Sequence, residues 1–595
     1  MTYKPPVRDH AFLLGEVLEI DRYTDLPGFG DASMDLVSQI LEEAGRFSAE
    51  VLAPLNAVGD KQGCTWKPDN TVTTPDGFKE AYKALVDGGW TALGVEQGFG
   101  GQGLPHVVNL AFSEMSSSAN MAFSMYPGLT HGAYSAIRNG GSDDQKALYL
   151  PKLASGQWCG TMNLTEPHCG TDLGLLRTKA VPQGDGSYRI SGQKIWISGG
   201  EHDMAENIVH LVLARIEGAP AGTRGISLFI VPKFIPDAEG RPGTRNSVFC
   251  AGLEEKMGIH GNATCVIQHE ESLGWLVGEE NRGLALMFVM MNEARIGVGL
   301  QGVAQAEAAY QSAAAFAKDR LQGRSLTGPK NPDGPADPII VHPDIRRMLM
   351  DSRATIEGGR AFLFWTALQG DLAHASPDEA VRQKADDYMG LMTPVVKGFL
   401  TDRGFKVCSD SLQVHGGSGF TEHFPASQYV RDCRITLIYE GANGIQALDL
   451  VGRKLAANGG RAVMSFFAEV DAYVEANQKD ADLKPFLDGL AQAKAQLQDA
   501  TMWLMQNGLA NPDNAGAASS DYMHLFGLTA LAYMWALMAK AAQGKIAAGD
   551  ADPFYAAKLA VGRYYVERML PDTGAHLAKL KTGAASLMAL PAEAF

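Results

Sequence analysis

The sequence predicts an α+β multidomain protein: an N-terminal helical unit, a middle antiparallel β-unit and a C-terminal helical bundle that continues into an extra helical tail. Three observations carry this. Apolar residues recur at helical spacing in the first quarter of the chain, as in Ile40, Leu41, Ala44, Phe47, Val51, Leu52 and Leu55. Short β-branched runs crowd together with no helix between them from about 158 to 280. Long amphipathic, alanine-rich runs then return after Gly283 and continue to the end. With 595 residues the chain exceeds what one hydrophobic core holds, so several packed units are expected.

The texture divides the chain at 1–157, 158–280, 281–455 and 456–595. In the first segment GFGGQGLP (98–105) contains a literal G-x-G-x-x-G at Gly98, Gly100 and Gly103. No buried strand leads into it and Pro105 stands where the helix should open, so it reads as a turn between helices and not a dinucleotide fold. In the second, IVHLVLARI (208–216) and GISLFIV (225–231) are strands separated by Gly/Pro turns, the pattern of a small antiparallel sheet or barrel. The third opens with the amphipathic run 285–320, then a Pro/Gly insert at 327–338, then a further helical run from His342. The tail predicts four helical stretches with breaks near 508–520 and 549–553. Its run Tyr522–Ala539 is uncharged over 18 residues, but alanine supplies much of the apolarity and His524, Gly527 and Thr529 interrupt it. It reads as a buried helix and not as a membrane span.

Charge excludes other classes. There are 51 basic and 67 acidic residues, a net of −16, so neither nucleic acid nor an anionic membrane is an expected partner. Seven cysteines without a CxxC pair or metal-like spacing fit reduced thiols, no metal and a cytoplasmic setting. The first residues show no long apolar h-region.

The chemistry-bearing signals are three. Glu440 is a lone glutamate in the apolar run RITLIYEGANGIQALDLVGRKL (434–455); desolvation there raises a carboxyl toward general-base range, although a helix-start glutamate has the same spacing. TMNLTEPHCGTDLG (161–174) and SGQKIWISGG (191–200) offer turn donors and an indole at a strand end, fit to hold a polar ring edge and stack on a flat cofactor; Trp196 alone also reads as core. SLQVHGGSGFTEHFP (411–425) carries Gly416, Gly417 and Gly419, which allow close backbone approach to a ligand or simply a helix–helix turn. Arg295 and Arg320 lie in helical runs, where ion pairing is the ordinary role.

Together and in order, TEPHCGTD, GQKIWIS, EEKMGIHG, QVHGGSGF and IYEGANGIQ resemble the acyl-CoA dehydrogenase family over roughly residues 40–455. The resemblance implies that family's three-domain fold, a C-terminal four-helix bundle, and FAD held non-covalently between domains. It implies that Glu440 removes the α-proton of an acyl-CoA thioester while the β-hydrogen leaves as hydride to the flavin. The family's thioester oxygen is held by the backbone N–H of that glutamate and a flavin hydroxyl. The resemblance further places Met162, Leu164, Thr165 and Thr171 along the flavin edge, Thr171 also near substrate, and Trp196 and Ser198 against the flavin ring. It assigns Arg320, Gln413, Gly416 and Gly417 to the FAD of a neighbouring subunit, Ala442 and Gly444 to the adenine side, and Asn292, Arg295 and Gly441 to the substrate and catalytic loop. A homo-oligomer follows, with a dimer favoured, and an electron-transferring flavoprotein is the implied acceptor.

Three departures concern the trans contacts: LQGR after Arg320, the Pro-rich insert, and Pro343 after His342. The long tail and YEGANGIQALDLVGRKL resemble an extended bacterial subgroup of the family. There the implied reaction is 3-methylmercaptopropionyl-CoA to methylthioacryloyl-CoA, a step of dimethylsulfoniopropionate breakdown. The alternatives are a short- or medium-chain straight-chain acyl-CoA dehydrogenase, an acyl-CoA oxidase, and a flavin-bearing nucleic-acid-associated member. The last wants a basic tail, and residues 456–595 have no Lys/Arg block. Met, Phe and Leu of 284–291 fit either the floor of a short acyl pocket or a core helix.

Overall fold

A computed structural model describes residues 3–595, the side chain of Val289 excepted. The N-terminal unit is helical, with α1 (Met34–Phe47), α2 (His106–Ala119) and α3 (Met121–Gly140) as its main elements. Ser33 caps α1 by accepting from the Leu36 N–H, and Val37, Leu41 and Ala44 bury one face, as their spacing predicts. Asn120 separates α2 from α3 and caps the latter through the Phe123 N–H, at 3.1 Å.

Seven strands build the main sheet of the middle unit: β1 (Trp158–Asn163), β2 (Lys179–Pro182), β3 (Ser187–Ser198), β4 (Asn207–Ile216), β5 (Ile226–Pro232), β6 (Val248–Leu253) and β7 (Thr264–Val277). Their order is β6-β7-β3-β2-β4-β1, and β5 pairs with both β7 and β4. The pairings β7-β3-β2-β4-β5-β7 therefore form a closed ring, which removes its edges. Most pairs are antiparallel as expected, but β1 and β2 both run parallel to β4. β4 and β5 are buried along nearly their whole length, which is why both read as continuous apolar runs and not as alternating ones.

The next unit comprises α4 (Gly283–Asp319), α5 (Pro343–Ala375), α6 (Glu379–His415), α7 (Ala426–Arg434) and α8 (Asn443–Asp449). The tail adds α9 (Arg461–Asn477), α10 (Lys484–Ala510), α11 (Pro512–Ala547), α12 (Pro553–Tyr564) and α13 (Asp572–Leu580). The break expected over 508–520 shrinks to the single residue Asn511. Its side chain caps α11 through the Asp513 N–H, and Pro512 opens the helix at N1, where its missing N–H costs nothing.

By length and composition α4 and α11 could each cross a membrane, but 83% of the α11 apolar window is buried inside the protein. One continuous core joins α1 and α2 to α4–α6 and to the tail helices α9–α12. Where α6 meets α11 there is no spare room: a methyl on Gly398 would lie 2.3 Å from Met523 Sδ, and one on Gly527 2.2 Å from the Phe399 ring.

Candidate active site

Glu440 lies in the short loop between α7 and α8, and its backbone is left-handed, φ +56°. Such a conformation in a glutamate is held by its surroundings. Gly441 follows at φ +87°, and Gln446 on α8 donates from Nε2 to the carbonyls of Glu440 (3.0 Å) and Gly441 (3.3 Å). Tyr439, just before, donates its hydroxyl to Gln301 on α4. Among the described residues no hydrogen bond within the chain takes the Glu440 N–H or reaches its carboxylate. Desolvation raises the carboxyl above its ordinary range, and the cations Arg295 and Lys397 pull against it.

Arg295, on α4, is buried and reaches Asp449 of α8 at 3.5 Å. Asn292 lies one turn before it and is exposed, while Gly441 is half-buried. Lys397, on α6, is fully buried and donates to Asn443 Oδ1 at 2.7 Å. Desolvation lowers its ammonium to about 8.

The segment 161–174 turns back on the strand that bears Trp196. Lys194, buried in β3, donates to the Leu164 carbonyl (3.0 Å) and pairs with Glu166 (2.9 Å), and the Ile195 N–H bonds to the Thr165 carbonyl (3.0 Å). Met162 is buried in β1, whereas Thr171 is exposed on the turn. Trp196 is also left-handed, φ +60°, and 61% exposed, with Ser198 two residues on opposite Thr264. An indole pinned outward beside a polar turn is an uncovered apolar face.

Helix α3 walls both groups. Its Tyr126 lies against Gly199, just past Ser198, and its Met121 and Met125 cluster with Ile259 and Tyr439. The EEKMGIHG loop docks here too, the Ile259 N–H bonding to Asp432 of α7 at 2.5 Å. Met287 and Met290 are core, buried with Ala133 and Ile137 of α3 and Leu228 of β5; the side chain of Val289, between them, lies outside the described residues.

A third group stands apart. Arg320 follows α4, 25 residues beyond Arg295, which is roughly 37 Å along the helix at 1.5 Å per residue. It is exposed, as is Gln413 near the end of α6. The two helix ends are joined by Phe316 and His415, ring centroids 4.7 Å apart. Gly416 (φ +57°) and Gly417 follow with nothing within 4 Å of an added methyl, and Phe420 beyond them is 84% exposed. Ala442 and Gly444 are likewise exposed at the start of α8. One chain thus assembles Glu440 with Arg295 and Gly441, and Trp196 with the Leu164–Thr165 turn. It does not bring Arg320, Gln413, Gly416 and Gly417 to them.

Sequence reasoning missed Lys397, Asn443 and Gln446. The last two lie inside the YEGANGIQ signature, and Lys397 is the one basic residue in the apolar stretch TPVVKGFL (393–400).

This three-unit helix–barrel–bundle frame around a desolvated carboxylate is that of the acyl-CoA dehydrogenases, and the chain belongs to that FAD-dependent enzyme family. Its matches are to the acyl-CoA dehydrogenase N-terminal domain over 37–157, the middle domain over 161–272 and the C-terminal domain over 281–455. An acetyl-CoA dehydrogenase C-terminal-like domain matches residues 466–591. The chain is 43% identical over 99% of both lengths to the 3-methylmercaptopropionyl-CoA dehydrogenase of Ruegeria pomeroyi. It is 37% identical over 96% of both lengths to the broad-specificity linear acyl-CoA dehydrogenase FadE5 of Mycobacterium tuberculosis. Among solved structures, a Bacillus anthracis acyl-CoA dehydrogenase complexed with FAD shares the fold, with TM-score 0.75 and 22% identity over 93% of this chain and 88% of that one.

Proposed function

We propose that the protein oxidises an acyl-CoA thioester between Cα and Cβ, with Glu440 as the base, and that its substrate is 3-methylmercaptopropionyl-CoA. The observation that carries the reading is the Glu440 carboxylate: desolvated, without a hydrogen bond among the described residues, and held by a left-handed turn that Gln446 buttresses. A carboxylate in that state has unused basicity, and it removes the α-proton of a thioester placed against it. Among the described residues the Glu440 N–H also has no partner, so the same residue offers a donor to the thioester oxygen as negative charge develops there. Arg295, fixed by Asp449, braces the loop from α4.

The uncovered indole of Trp196 and the Leu164–Thr165 turn fit a flat flavin, with Met162, Thr171 and Ser198 beside it. FAD held there supplies the acceptor for the β-hydride. Arg320, Gln413, Gly416 and Gly417 lie too far along α4 and α6 to serve the same chain's site. Their exposure, with Phe420, supports a homodimer in which they hold FAD for the partner, and Ala442 and Gly444 lie open at the α8 start for the adenine side. Similarity to the Ruegeria enzyme supports the thioether substrate and a place in dimethylsulfoniopropionate degradation. An electron-transferring flavoprotein as acceptor and a cytoplasmic location complete the reading.

The test is anaerobic bleaching of the flavin band by 3-methylmercaptopropionyl-CoA, butyryl-CoA and a long-chain acyl-CoA in parallel. Fastest bleaching by the thioether supports the substrate. Faster bleaching by butyryl-CoA reassigns it, and no bleaching by any thioester removes the dehydrogenase reading.

A further inference from the structure

The loop that carries Glu440 is tied to the tail by an unbroken series of polar contacts. Asn443, three residues after Glu440, accepts from buried Lys397 at 2.7 Å. Its amide nitrogen faces the Asp402 carboxylate (2.7 Å), Thr401 Oγ1 (2.9 Å) and the Gly398 carbonyl (3.1 Å). The second oxygen of Asp402 lies 3.0 Å from His524 Nε2 on α11 of the tail. The His524 ring stacks on His576 of α13, centroids 5.4 Å apart, and His576 Nδ1 is 2.7 Å from Asp521. Around this series α6 and α11 touch at Gly398–Met523 and Phe399–Gly527 with no room for a methyl, so neither helix shifts independently.

Lys397 is unusual in this setting. An ammonium has three donors, and among the described residues Asn443 is its one hydrogen-bond partner. A buried cation so placed acts through its field. The charged groups around it are Asp402, Glu440 and Arg295, and those around Glu440 are Arg295 and Lys397.

We infer that Lys397 is a positioning residue for the catalytic base, and that the tail, through His524 and Asp402, holds the Lys397–Asn443 pair beside Glu440. The inference rests on the reading of Glu440 as the base. Asn443 links the ammonium to the turn that fixes the Glu440 backbone, and the ammonium offsets part of the desolvation that raises the Glu440 carboxyl. The tail is then part of the active-site support.

The experiment uses the full-length FAD-loaded enzyme and acetyl-CoA in D2O. Acetyl-CoA has α-hydrogens and no β-carbon, so only the base can act. The Cα–H bond breaks, the proton passes to the Glu440 carboxylate, the electron pair stays on the thioester, and a deuteron from solvent returns to carbon. Deuterium incorporation is followed by mass spectrometry against pH. Glu440→Gln should abolish exchange. Lys397→Met should move the acid limb of the profile to higher pH by roughly one unit, because the base then keeps its proton further up the scale. Lys397→Arg should restore most of the limb. His524→Gln should shift it in the same direction by less, and because His524 is only partly buried, that variant decides the matter if Lys397→Met fails to fold. A purely structural role lowers the rate at every pH and leaves the limb in place, so an unmoved limb in both variants overturns the inference while leaving the base intact. Exchange that survives in Glu440→Gln overturns both.

Discussion

Two of this protein's acid–base clusters, one around Arg360 and one around Glu440, differ in a way that shows what makes a carboxylate reactive. In the first, Arg360 of α5 bonds Glu114 of α2 (2.6 and 2.8 Å), Glu307 of α4 (2.6 Å) and Asp9 of the short helix Val7–Phe12 that precedes α1. Lys558 of α12 bonds the same Asp9 and Glu357 (2.7 Å), and His10 lies 3.0 Å from Glu114. Burial raises Asp9 and Glu114 as it raises any other acid, but paired cations and direct hydrogen bonds outweigh it: both fall below their ordinary range, Glu114 from 4.5 to about 2. In the second, Glu440 is half-buried, desolvated and has two cations in range, yet among the described residues no hydrogen bond meets its oxygens, and its proton affinity rises. A desolvation penalty is common to both. Hydrogen-bond saturation separates a carboxylate that fastens several elements together from one with basicity to spare.

That contrast can be broken first at its reactive end. Glu440→Gln keeps the shape and removes the base, so the bleaching rate with 3-methylmercaptopropionyl-CoA should fall by about 10³-fold or more while flavin content is unchanged. A loss below tenfold would mean that the unsaturated carboxylate is not the base. At the saturated end, Arg360→Met strands Asp9, Glu114 and Glu307 without their shared cation. Such a break costs roughly 3–5 kcal/mol and should lower the denaturant midpoint at pH 7. The sign with pH is fixed by Glu114. Its folded value lies below its ordinary 4.5, so its stabilisation is present above about 4.5 and is lost as pH falls toward 2. The deficit of the variant relative to the parent protein should therefore shrink as pH falls from 7 through 4.5 toward 3, and a deficit constant over that range would show that Arg360 acts by packing alone.

The sequence disclosed one end of this comparison better than the other. Period-3.6 and β-branched runs announced the helix–barrel–helix order, because each unit buries a single kind of face. The ring closure and the two parallel pairings to β4 were not legible, since register and strand order depend on contacts between residues far apart in sequence. Glu440 stood out as a lone glutamate among apolar neighbours. Lys397 did not, because nothing local to residues 393–400 reveals that Asn443, 46 positions away, receives it. The Arg360 cluster was invisible for the same reason: its members span positions 9 to 558 and meet only once the tail has docked. Local spacing also misjudged the α10–α11 junction, where Asn511 and Pro512 cap and restart a helix in the space expected for a loop.

Trp196 tests whether exposure, as opposed to burial, marks the cofactor face. Its indole is 61% exposed and its neighbours Lys194 and Ile195 hold the Leu164–Thr165 turn through their own bonds, so removing the ring leaves that framework intact. Trp196→Ala should leave the denaturant midpoint of the FAD-free protein within about 0.5 kcal/mol of the parent, as expected for an exposed position. The strained left-handed backbone there is tolerated by alanine no worse than by tryptophan. FAD affinity, read by titrating the apoprotein, should weaken by up to about tenfold, the scale of one lost aromatic stack. The acid limb of the acetyl-CoA exchange profile should stay where it is, because Trp196 carries no charge toward Glu440. A stable protein with undiminished FAD affinity would place the flavin elsewhere. A moved acid limb would mean that the indole, and not only Arg295 and Lys397, governs the solvation of the base.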